Sequence, residues 1–120
     1  MTPKPILFHN PDCSKSRATL ELLDQAGIDY EVRLYLETPL NLNELDAVSS
    51  ALEDGASAIL REEDAVKANP NLDPATLDEA ARLQLIADQP VLMQRPIVMR
   101  GQRAKIGRPP ESVLNLFSDV

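Results

Sequence analysis

The chain has 120 residues, 43% of them hydrophobic, enough for a single domain over 1–120 and too few for two separate cores. Twelve basic against nineteen acidic side chains leave a net charge of −7, and such a field repels nucleic-acid phosphates. One cysteine excludes an internal disulfide, and no apolar run has the length of a membrane span or the form of a secretion signal. The expected setting is a reducing cytoplasm, with neither nucleic acid nor membrane as partner.

In chain order, Pro5 to His9 reads as a buried first strand. A helix with Leu20, Leu23 and Ala26 at helical spacing follows, stopped by Gly27. Asp29 to Leu34 alternates polar and apolar residues, which suits a second strand and a parallel βαβ unit. Beyond Thr38-Pro39, Asn43 is a helix cap before Leu45, Val48 and Leu52, with Gly55 as the stop. Ser57 starts a short helix carrying Ile59, Leu60 and Arg61. The acidic runs at Glu53-Asp54, Glu62-Glu63-Asp64 and Asp78-Glu79 belong on a solvated helical surface.

Asn69-Pro70-Asn71 is a turn, and Thr76 with Glu79 has capping-box spacing ahead of Ala80, Leu83 and Ile86. Gln89-Pro90 closes that helix. Ile97 to Met99 and Ala104 to Ile106 form a hairpin about Arg100-Gly101, and Pro109-Pro110 opens a last helix with Val113, Leu116 and Phe117 inward. Pro96 suits the first position of a strand, where no donor is needed, or the far side of a cis bond. Sequence leaves both open.

Chemistry concentrates in His9-Asn10-Pro11-Asp12-Cys13-Ser14-Lys15-Ser16-Arg17. A thiol between a strand end and a helical first turn meets unpaired N–H groups and the positive end of the helix dipole. That position favours a thiolate and receives a tetrahedral oxyanion equally well. Many free cysteines are merely small buried hydrophobes. Here the neighbours are turn and capping residues, poor company for a core position. Asp12 should raise the pKa of Cys13, while Lys15 and Arg17 offset it.

His9, the only histidine, is either structural or an imidazolium that lowers the thiol pKa. Arg95, Arg100, Arg103, Lys105 and Arg108 crowd the last third and make a local anion site if they converge. Of these, Arg100 and Arg103 fall in an exposed turn, and Arg17 serves to order the loop or to pair with an acid. One Cys and one His cannot build a metal site, and four scattered glycines supply no nucleotide-binding loop.

Taken together, His9-Asn10-Pro11-x-Cys13 with Ser16-Arg17, Tyr35-Leu36-Glu37-Thr38-Pro39, Leu60-Arg61, Gln94-Arg95-Pro96-Ile97-Val98 and Ile106-Gly107-Arg108-Pro109-Pro110-Glu111 resemble the glutaredoxin-coupled arsenate reductases of the ArsC family. The likeness runs from His9 to the final helix. It implies an α/β fold: a thioredoxin-like core, a mixed four-stranded sheet, and an inserted helical stretch at about 41–90. It also implies that Cys13 attacks arsenate, that glutathione adds to the arsenic as co-substrate, and that glutaredoxin delivers the reducing step, with no tightly bound cofactor.

By motif, Arg61, Arg95 and Arg108 surround the oxyanion, supported by His9, Ser16, Arg17 and Pro96. Arg61 is otherwise an ion-pair partner of Glu62-Glu63. The resemblance favours a cis Pro96. The loop differs from the best-known reductases in carrying Ser14-Lys15-Ser16, a subgroup trait that leaves open a thiol oxidoreductase acting on something other than arsenate. A relation to Spx-type regulators, which bind RNA polymerase, is the third reading. Serine at position 16 removes the paired cysteine those proteins often carry.

Overall fold

The computed structural model describes residues 4–119. Its centre is β1 (Ile6–His9), flanked by parallel β2 (Glu31–Leu34) and antiparallel β3 (Ile97–Arg100). β4 (Arg103–Ile106) completes a mixed sheet of order β2-β1-β3-β4.

Side-chain alternation along these strands sorts the core into two layers. Leu7 and Val98 are register partners, and both join Leu23, Val113, Leu116 and Phe117 beneath α1 (Ser14–Gln25) and the closing Pro110–Phe117 segment. Phe8 and Ile97, the next register pair, belong to the larger layer with Tyr35, Leu45, Ile86 and Met93. That layer lies under the inserted helices α2 (Leu42–Ala51), α3 (Glu62–Ala68) and α4 (Glu79–Asp88). The expected insertion and four-stranded mixed sheet are therefore present.

Gly27 stops α1 as expected, with φ of +70°. Its N–H reaches Asp24 O at 3.1 Å and that of Ile28 reaches Leu23 O at 3.1 Å, a Schellman pair that only a left-handed residue closes cheaply. Other expectations need correction. β2 begins at Glu31 instead of Asp29, and Val32 remains 46% exposed because this strand is the sheet's edge. Asn41 caps α2, not Asn43, because Glu44 three residues on completes a reciprocal capping box. α2 ends at Ala51 because Leu52 turns extended and bridges to Ala104, well before Gly55.

Thr76 lies in a 3₁₀ turn (Pro74–Thr76), and Asp78 takes the capping role by accepting the Ala81 N–H at 2.8 Å. The Glu62-Glu63-Asp64 run forms the first turn of α3, a helix that apolar periodicity did not reveal. There the carboxylates complement the helix dipole. The final Pro110–Phe117 element is 3₁₀, not α. Val113 and Leu116, three residues apart, stack on one face at a three-residue repeat, and both are buried.

Candidate active site

Cys13 is the N-cap of α1, extended at φ −98° and ψ 123°, and only 9% exposed. Its N–H donates to Asn10 O at 3.0 Å, and its own carbonyl accepts the Arg17 N–H at 3.0 Å. Burial pushes the thiol pKa up, but the backbone N–H groups of Ser16 and Lys15, with the hydrogen bond and charge of Arg95, outweigh it and hold Cys13 below its usual range. Lys15 thus acts through its backbone amide, whereas the sequence pointed to its ammonium; the side chain is exposed.

The loop is held from within. Ser16 is fully buried, and its hydroxyl accepts the Asn10 N–H at 3.0 Å while lying 2.6 Å from His9 Nδ1. Because Asn10 already supplies a proton to that oxygen, the serine proton is free for Nδ1 of a neutral imidazole. Burial, and secondarily the charge of Arg17, lower the His9 pKa and favour that neutral form. The imidazolium reading is therefore corrected: His9 fixes Ser16 and the loop, and Cys13 draws its low pKa elsewhere. Arg17 donates to Pro11 O at 2.8 Å and orders the loop from outside.

Two of the three expected arginines meet the thiol. Arg108 Nη2 is 3.9 Å from Cys13 Sγ, and its Nε donates to Arg95 O at 2.9 Å. Arg95 is near enough to lower the Cys13 pKa, and its Nε and Nη1 are buried without any acceptor among the described residues. Arg61 is placed differently. It stands at the N-cap position of α3 without a side-chain capping bond, forms an ion pair with Asp64 instead of Glu62 or Glu63, and shares with Gln94 and Arg108 a cavity of about 410 Å³. Arg100 and Arg103 stand apart: Arg100 donates to Leu116 O at 2.8 Å and lies 5.2 Å over the Phe117 ring, and Arg103 pairs with Glu53 at 2.7 Å.

Both Arg95-Pro96 and Arg108-Pro109 are cis, the second unforeseen from sequence. Gly107 sits where a Cβ would come within 2.6 Å of Thr19 Oγ1 and 2.7 Å of Pro96 Cγ. Only glycine lets the segment bearing Arg108 lie against α1 and the Pro96 ring.

Three further residues of this neighbourhood carry no functional signal in the sequence. Asn10 is buried, and its Oδ1 accepts the Asp12 N–H at 3.0 Å. Gln94 Oε1 accepts the Arg95 N–H at 3.2 Å. Tyr35 is 1% exposed, and its hydroxyl has no partner among the described residues. A β-sheet register would have pointed to Tyr35, and register is not legible in a single sequence.

Comparison with known proteins extends the likeness over the chain. A family model described as ArsC family matches residues 8–116. An arsenate reductase of Haemophilus influenzae is 42% identical over 113 residues, which cover 93% of this chain and 97% of that protein. The uncharacterized protein YfgD of Escherichia coli is 43% identical over 117 residues, covering 97% and 98%. The solved arsenate reductase of Vibrio cholerae, 38% identical, superposes with a TM-score of 0.84 over 93% of this chain and 96% of that one. Because the match extends far beyond the thiol loop to nearly the whole chain, the protein belongs to the ArsC family and has its thioredoxin-like fold.

Proposed function

We propose that the protein reduces arsenate to arsenite through Cys13, with glutathione as co-substrate and glutaredoxin as the reducing partner. The observation that carries this reading is a low-pKa thiol at a helix N-terminus beside two guanidinium groups, one of which keeps two buried nitrogens without an internal acceptor. Buried donors of that kind are costly unless they serve a ligand, and guanidinium groups match a tetrahedral oxyanion with paired hydrogen bonds.

The Cys13 thiolate forms a sulfur–arsenic bond as one arsenate oxygen leaves as water. A glutathione thiolate displaces a second oxygen in the same manner. A glutaredoxin thiolate then takes the glutathione sulfur as a mixed disulfide, and the arsenic–sulfur electron pair stays on arsenic, reducing As(V) to As(III). Water cleaves the remaining sulfur–arsenic bond, releasing arsenite and the Cys13 thiolate. Arg95 and Arg108 stabilise the oxyanion and the returning thiolate, while Arg61, paired with Asp64, lines the same cavity as Arg108.

The test is arsenate-dependent NADPH consumption in a system of glutathione, glutaredoxin and glutathione reductase. Turnover by the wild-type protein and none by Cys13→Ser is expected. No turnover, with Cys13 still taking glutathione from its oxidised form, would favour a thiol oxidoreductase with another substrate.

A further inference from the structure

Two ladders converge on the thiol loop. In the parallel pair the last register partners are His9 and Leu34, and Asn10 and Tyr35 are the residues that follow them out of the two strands. In the antiparallel pair Phe8 faces Ile97, and Arg95 lies two residues before that end of β3, as Asn10 lies two residues after Phe8. Tyr35, Arg95 and Asn10 therefore all leave the sheet at the end from which the Cys13 loop departs. The Tyr35 ring belongs to the core with Leu40, Leu45, Ile86 and Met93. Its hydroxyl is buried yet bonded to nothing among the described residues, as are two nitrogens of Arg95.

A ring needed only for packing would be phenylalanine, because a buried hydroxyl without a partner is a cost. We propose that the Tyr35 hydroxyl is a further donor of the oxyanion site, aimed at an oxygen of the tetrahedral anion held beside Cys13 by Arg95 and Arg108.

Its protonation fits a donor. Burial raises the Tyr35 pKa, Arg95 counters that, the Cys13 charge raises it further, and the Asn10 side-chain amide, close to the hydroxyl without meeting hydrogen-bond geometry, and the charge of Arg108 oppose it, leaving it pushed up to about 12. The hydroxyl thus keeps its proton wherever the Cys13 thiolate exists. A neutral donor also adds direction without adding charge, which two arginines already supply. The inference rests on an oxyanion as the ligand beside Cys13, but not on its reduction.

The experiment compares wild type with Tyr35→Phe by protection of Cys13 against iodoacetamide, using arsenate, inorganic phosphate and sulfate in turn, with thermal unfolding measured alongside. Expected is a protection constant weakened by about tenfold, the scale of a hydrogen bond to a charged group. The unfolding midpoint in the absence of anion should be equal or higher, because no internal bond is lost. Equal protection in both proteins would overturn the proposal. So would weaker protection with a lowered midpoint, which marks a packing role, and so would a wild-type thiol that none of the three anions protects. If the wild type is protected but does not turn over arsenate, the reduction reading fails. Tyr35 is then still decided by the ratio of protection constants.

Discussion

His9 and Arg95 show how burial decides what a residue type can do. As the only histidine, His9 is the sole side chain expected to titrate between the carboxylates and the thiol. Burial and the charge of Arg17 hold its folded pKa below the ordinary histidine value of about 6.5, so the unfolded chain takes up a proton first as pH falls. The stability His9 lends is complete above about 6.5 and is lost as pH falls through the lower folded pKa. Thermal midpoints between pH 7 and 5 should decline in the wild type and stay flatter in His9→Gln. Parallel curves would show that His9 is not the titrating group.

For Arg95, lysine keeps the charge but loses the planar fork. Arg95→Lys should lower arsenate turnover by on the order of tenfold, equivalent to about 1.4 kcal/mol of transition-state binding. At this scale the sequence was legible where local chemistry sufficed: the thiol, its polar loop and its helix end. It left His9 open between a structural role and an imidazolium, a choice set by burial and the charge of Arg17, and it misled at Lys15, which contributes its backbone instead of its ammonium.

Among elements, the segment from β4 into the final 3₁₀ turn couples the sheet to the site. Gly107→Ala would drive a Cβ into Thr19 Oγ1 and Pro96 Cγ, both parts of constrained neighbours. The expected cost is about 1–3 kcal/mol in urea unfolding, as for overpacking generally, with a larger proportional loss of turnover because Arg108 is the next residue. Loss of stability alone would separate Gly107 from the site.

Farther along, Arg100 ties β3 to the final turn through Leu116, Asp119 and the Phe117 ring. Arg100→Ala should cost on the order of 1 kcal/mol in unfolding and leave the pH midpoint of Cys13 alkylation unchanged. That revises the bare exposed turn expected from sequence. Strands and long helices were readable from apolar periodicity. The cap at Asn41, the acidic α3 and the 3₁₀ ending were not, because side-chain caps, helix-dipole complementarity and a three-residue repeat leave little apolar signal.

For the whole molecule, an acidic chain joins two arginines at one end of its sheet and sets its single thiol 3.9 Å from one of them. The order of strand, helix, strand, helical insertion and hairpin was legible, and with it the α/β class. The convergence of residues 13, 95 and 108 is a consequence of strand register and could be reached from sequence only through resemblance.

No second cysteine exists in the chain to resolve a Cys13 adduct, so an external thiol must complete each cycle. The most direct measurement supplies arsenate with thioredoxin and its reductase in one mixture, and with glutathione, glutaredoxin and glutathione reductase in another, following NADPH. Multiple turnovers in the second mixture and none in the first are expected. Multiple turnovers with thioredoxin alone, in the absence of any low-molecular-weight thiol, would contradict the single-thiol mechanism.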